Sequence, residues 1–174
     1  MEEEEMEQVS YDQLNVTLSF FPRVDSKCSV VLGLDVAMIG LLAFNAPAVA
    51  NLTWPTLLLP AIPALLFLLC MIKSLWEVYK CSFPRLEGGD KSLIYFAAIG
   101  KRTETDFVRS FSQRDRKEHI ADLLSQVWRN SEILDMKFAA LKSAHIYLAW
   151  SIVPWVVAVI IFGMFNQNAP GLLR

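Results

Sequence analysis

The stretch Asp115–Phe165, DRKEHIADLLSQVWRNSEILDMKFAALKSAHIYLAWSIVPWVVAVIIFGMF, decides the fold. Ile120, Leu124, Val127, Ser131, Leu134, Phe138, Leu141, His145, Leu148 and Ile152 follow one another at alternating spacings of four and three. That repeat keeps one seam of a helix against a partner helix. Ser131 and His145 are its polar members. Opposite the seam, up to residue 142, lie Asp122, Gln126, Arg129, Glu132 and Lys137, which makes the first half amphipathic and water-soluble. Ala144–Phe165 then contributes 22 residues with no Asp, Glu, Lys or Arg and one His. At about 1.5 Å per residue, this crosses a hydrocarbon core of about 30 Å. Pro154 falls inside that membrane portion, where neighbouring helices and waters can satisfy a freed carbonyl. At the aqueous end Ser112 followed by Asp115 reads as a capping box, and the macrodipole favours Asp115 and Glu118 in the first turn. One helix therefore starts in water and ends in a bilayer.

The rest of the chain agrees with a membrane protein through clustering rather than abundance of apolar residues, since 54% hydrophobic is ordinary for a small globular chain. The net charge of −2 says little about partners, because Glu2, Glu3, Glu4, Glu5 and Glu7 hold much of the acidity and the remainder is basic. Residues 1–10 are expected to be a disordered acidic tail, with none of the positive start of a signal peptide. Residues 11–27 form an amphipathic segment with Leu14, Leu18 and Phe21 on one face, closed by Pro22. Residues 28–50 are the first span, interrupted by Asp35, Asn45 and Pro47; an uncharged loop follows with Asn51, Thr53, Trp54 and Pro55. Residues 57–79 are the second span, with Pro60 and Pro63 in its early turns and Trp76, Tyr79 and Lys80 as interfacial anchors. Residues 80–143 make a cytoplasmic sensing segment, 144–165 the third span and 166–174 an outer tail.

Basic residues near span ends orient the chain. Thirteen of the sixteen Lys and Arg lie from Lys73 to Lys142, two precede the first span, and Arg174 is the remaining one. The expected fold is thus an all-α membrane protein with three transmembrane helices, amino terminus inside and carboxyl terminus outside, whose small helical cytoplasmic segment is continuous with the third span. That segment opens with a turn at Gly88 and Gly89. Ser92–Ile99 has a periodicity that fits a strand or a helical approach, and Gly100 ends it. Thr103 with Asp106 three residues on marks a helix start running to about Gln113.

Catalytic and metal motifs are nearly absent. There is no glycine-rich phosphate loop, GxSxG or HExxH; His119 and His145 stand far apart, with no Cys at metal spacing. Cys28, Cys70 and Cys81 sit in or beside spans, where a free Cys is a small apolar filler. No enzyme, metal site or cofactor is expected. Two features rise above packing. Asp35, Lys73 and His145 should lie at similar depth in the inner half of the membrane, where a charge needs a partner or water. An Asp35–Lys73 pair or polar gate competes there with a snorkelling Lys73 and an Asp35 held by one hydrogen bond. The second feature is the basic cluster Lys101, Arg102, Arg109, Arg114, Arg116 and Lys117, interleaved with Phe107, Phe111 and His119. Guanidinium forks and rings suit a phosphate and a base; anionic inner-leaflet lipid is the blander partner.

Asp25-Ser26-Lys27 before the first span, YFAAIGK at 95–101 and SEILDMKFAALKSAHIY at 131–147 resemble the small transmembrane effectors of the bacterial Pycsar anti-phage system. The resemblance runs from about Leu14 to Phe165. It implies a multi-pass protein of the cell inner membrane and a partner cyclase making a cyclic pyrimidine nucleotide, cCMP or cUMP, on infection. The effector would sense that ligand and impair the membrane, stopping growth before phage mature, a form of abortive infection. The polar members of the seam suit a homo-oligomer, although an intramolecular bundle explains the same stripe. Membrane lipid is a partner on this reading and nucleic acid is not. A holin-like or toxin protein and an accessory subunit of a transporter or channel are the competing classes.

Overall fold

A computed structural model describes residues 2–46, 54–83, 89 and 91–167. The elements are α1 (Glu3–Phe44), α2 (Trp54–Ser82), α3 (Phe96–Ile99), α4 (Glu104–Ser112) and α5 (Arg116–Gln167), with no strand among the described residues. Three helices, α1, α2 and α5, are long and apolar enough to cross a membrane. The chain is an all-α, three-span membrane protein. Of the loop expected in the fifties, Asn51 and Thr53 lie outside the described residues, as do Gly88 and the tail beyond Gln167, whereas Trp54 and Pro55 are not loop but the start of α2.

The chain divides into two compact units, one of Met1–Val24 with Pro84–Phe138 and one of Asp25–Phe83 with Ala139–Arg174. In the second unit Trp155 Nε1 donates to the Met38 carbonyl at 3.0 Å and Asn166 Nδ2 to that of Asn45 at 3.1 Å, so α1 and α5 run parallel. The Cys28 thiol donates to the Val78 carbonyl at 3.8 Å, while Leu42 clusters with Phe67, which sets α2 antiparallel to both. Leu42, Phe67, Met71, Ala158 and Phe162 form the core. Leu58, Leu65, Leu69 and Ile72 of α2 face outward, as a hydrocarbon solvent allows.

Each long helix has a seam of period 3.5. On α1, Ser10, Leu14, Thr17, Val24, Cys28, Val31, Asp35 and Leu42 are buried and Phe21 and Met38 half-buried, alternating spacings of four and three. This corrects two expectations. Residues 3–10 are helical rather than a disordered tail: Glu3, Glu4 and Glu5 occupy the first turn, where the macrodipole favours them, and the seam already begins at Ser10. Pro22 does not close the helix but lies inside it, exposed on the side away from the seam. There its ring costs one hydrogen bond without disturbing the packed face.

The seam of α5 has the expected period but a different second edge. Ile120, Val127, Leu134, Leu141 and Leu148 face inward or are partly buried, as read. The alternating partners lie three residues after them, not four: Leu123, Lys137, Ala144, Ser151 and Ala158 are buried, whereas Leu124, Ser131, Phe138, His145 and Ile152 are exposed. Gln126 and Lys137, read as solvent-facing, are both 5% exposed. Ala144, Ser151 and Ala158, each fully buried and seven apart, are the physical reason. Small side chains let helices approach closely where no water drives association.

Candidate functional site

The first unit holds a polar network built around Asp122. Thr103 caps α4, accepting from the Asp106 amide at 3.2 Å and donating to its carboxylate at 2.8 Å, as its spacing predicts. Ser112 is the last residue of α4 rather than a cap for α5; Asp115 holds that place, its carboxylate accepting from the Arg116 amide at 2.9 Å. The connection turns Arg114 back onto α5, where it donates to Asp122 at 2.8 Å and to the Glu118 carbonyl at 3.0 Å. Residues 92–99 form a turn and then α3, not a strand. In that turn the Leu93 amide donates to Asp122 at 2.9 Å, and the Ser92 hydroxyl accepts from the Ile94 and Tyr95 amides and from Gln126 Nε2. Burial pushes the Asp122 carboxyl up, but hydrogen bonds from Arg114, Ser92 and the Leu93 amide, with the Arg114 charge, hold it below the ordinary carboxylate range.

Each member of the basic cluster read from sequence is engaged. Arg114 is committed to Asp122, both side chains being about nine-tenths buried. Arg116 meets Glu7 at 3.1 Å and Lys117 meets Glu3 at 3.4 Å, so the acidic start of α1 lies along the start of α5. His119 is 3.8 Å from Glu7 and edge-on to Phe111, which packs on Phe107. Arg109 has an exposed contact with Asp106 at 3.7 Å, Arg102 donates to the Lys91 carbonyl, and Lys101 is likewise not free.

In the second unit Asp35 is fully buried, and Ser74 donates to its Oδ2 at 2.8 Å. Ser74 also lies 3.4 Å from the Ala144 carbonyl, so the three long helices meet at this point. Asp35 Oδ1 is buried without a partner among the described residues. Lys73 and His145 point outward, each one residue from a buried neighbour; His145 Nδ1 is 2.9 Å from the Leu141 carbonyl. The structure brings Asp35 to Ser74, not to Lys73, because a helix turns about 100° per residue. No group of three His, Cys, Asp or Glu among the described residues is placed to hold a metal.

The residue the sequence reading passed over is Arg129. It shares a face of α5 with Asp122 and Gln126, at spacings of four and three, a stripe assigned to solvent. Its Nη1 is buried with no hydrogen-bond partner among the described residues. Two cavities share Arg129 and Gln126 as walls. One, of about 590 Å³, is polar and includes Lys91, Ser92 and Gly89. The other, of about 320 Å³, is lined by Phe21, Tyr95, Phe96 and Ile133. Gly89 has φ +88°, and a Cβ there would lie 2.9 Å from Arg129 Nη1. The available signal was the YFAAIGK stretch, whose first two rings line the apolar cavity.

No curated protein and no solved structure matches the chain. Residues 10–163 match the Pycsar effector protein domain, a span that includes most of all three long helices and the whole Asp122 network. The chain therefore belongs to the Pycsar effector protein family, a component of a bacterial anti-phage system.

Proposed function

We propose that this protein is the membrane-acting effector of its system, activated by cCMP or cUMP from a partner cyclase. On activation it impairs the inner membrane and stops growth before phage release. The observation that carries this reading is the match of one effector domain to residues that include both the three apolar helices and a polar unit with its own cavities. The effector works without catalysis of its own: it converts ligand binding into a change of helix packing. The amino terminus and residues 80–143 face the cytoplasm, following the charge bias, and the chain acts as a homo-oligomer in contact with lipid.

In this reading Lys101, Arg102, Arg109, Arg114, Arg116 and Lys117 supply the positive field that draws an anion to the cytoplasmic unit. The membrane step acts on Asp35. At the meeting point of three spans the Asp35 carboxyl is held by one hydrogen bond from Ser74 to Oδ2, and repacking that uncovers it admits water. The test is dye release from liposomes carrying the purified protein. Release on adding cCMP or cUMP, and none with AMP, is expected; release independent of nucleotide would make the protein holin-like.

A further inference from the structure

An arginine with a buried, unpartnered guanidinium nitrogen weakens a fold unless something binds there. Removing a charged donor from water costs several kcal/mol when no acceptor replaces the water. Arg129 Nη1 has no such acceptor among the described residues, whereas neighbouring Arg114, on the same polar cavity, has Asp122. The surroundings of Arg129 differ on its two sides. Toward Gly89 and Lys91 the cavity is lined by charged and polar side chains, Lys91 and Arg114 together with Glu118 and the Arg114-paired Asp122, with no Cβ at Gly89 to fill it. Toward Phe21, Tyr95 and Phe96 it is apolar and walled by rings. Gln126 and Asn130 bring carboxamides to the apolar side; each nitrogen already makes one hydrogen bond, to the Ser92 hydroxyl and the Gln126 carbonyl, which leaves its second N–H and the amide oxygen for a base edge. An anion joined to a flat heterocycle satisfies both sides at once.

We propose that Arg129 is the phosphate-binding residue of this protein, with the nucleotide base seated in the adjoining cavity against Phe21, Tyr95 and Phe96. This rests on nucleotide activation as read above, and it assigns the phosphate to Arg129 rather than to the basic cluster, of which Arg114 lines the same polar cavity but is held by Asp122. A guanidinium fork meets a phosphate through two parallel hydrogen bonds, and a ring face offers sequence-tolerant stacking. The ligand bridges three pieces of chain within the cytoplasmic unit: the seam of α1 at Phe21, the turn at Tyr95 and α5 at Arg129. Binding therefore bears on how α1 packs against α5 in that unit.

The experiment is titration calorimetry of cCMP and cUMP into the full chain in detergent, paired with melting curves without nucleotide. The parent is expected to bind at least one of the two. Arg129→Gln should weaken that binding about 10- to 100-fold, the loss of a charge-assisted hydrogen bond. Without nucleotide it should melt at the parent's temperature or above, since it removes a half-buried cation whose Nη1 is buried with no partner among the described residues. Arg129→Lys keeps the charge and recovers part of the affinity. Arg109→Gln, at an exposed cation, should change affinity by less than about fivefold. An Arg129→Gln protein that binds as the parent does, or that melts lower without nucleotide, overturns the assignment of Arg129. A parent that binds neither nucleotide overturns the activation reading itself.

Discussion

At the scale of single residues, the polar groups of the first unit include some that hold the fold and, at Arg129 Nη1, one with no partner among the described residues. Arg114 and Asp122 hold the fold. Arg114→Gln would leave a buried carboxylate short of its cation and should cost about 3 kcal/mol, read from denaturation in detergent, with Asp122→Asn in the same background recovering part of the loss. Arg114 variants that fail to respond to nucleotide would thus report folding as well as binding. The depressed Asp122 carboxyl also sets an acid limit. Because its folded value lies below the unfolded one, its contribution is complete above the ordinary carboxylate value, near pH 4. It is lost as pH falls through the depressed value. The melting temperature of the parent should therefore fall in that acid window, and Asp122→Asn should flatten the fall. Gly89 belongs with Arg129: Gly89→Ala forces a left-handed backbone on a residue with a Cβ, costing about 1 kcal/mol, and pushes on Nη1.

At the scale of elements, the three long helices share one rule, a 3.5-residue seam, and differ in what fills it. On α5 the fully buried Ala144, Ser151 and Ala158 allow close approach within the membrane unit. Ala158→Leu inserts three carbons where there is no space and should destabilise by about 1–3 kcal/mol, whereas Val157→Leu on the exposed side should be near neutral. The same contrast applies two heptads earlier on α5: Ala144→Leu should disrupt the junction with Ser74 and Asp35, and His145→Leu should be tolerated. Melting of the four variants in one detergent checks the register directly. If His145→Leu were the damaging member of its pair, the seam would be the four-spaced one. Pro22 carries the opposite lesson, since a proline on the outward side of a packed helix is a local defect and not an end.

For the whole molecule, the family and the three apolar helices establish a multi-pass membrane protein of an anti-phage system. The charge bias predicts an orientation. A reporter fused after residue 174 should behave as external, and one placed in the 80–143 segment as cytoplasmic, because thirteen of the sixteen basic residues lie from Lys73 to Lys142. The helices α1 and α5 each supply residues to both units. That shared membership is why a ligand in one unit is proposed to act on spans in the other.

Most of the architecture was legible in the residues alone. Three apolar stretches, the continuity of the last helix from water to membrane, the Thr103 cap and the family resemblance all depend on composition, period or a three-residue spacing. Those are local properties. What the tertiary structure decided depends on which side of a helix meets its neighbour. Ile120, Val127, Leu134 and Leu141 are compatible with partners at either three or four residues' distance, and only the close approach of α1 and α2 selects Ala144 and Ser151 over His145 and Ile152. The same choice turns Asp35 to Ser74 rather than Lys73, and draws Gln126 and Lys137 inward from a face that looks solvated in sequence. It also sets Arg129 between two cavities with one nitrogen unmatched among the described residues. A residue's charge is written in the chain, but whether that charge has a partner is a property of the packed structure, because the partners come from segments far apart in sequence.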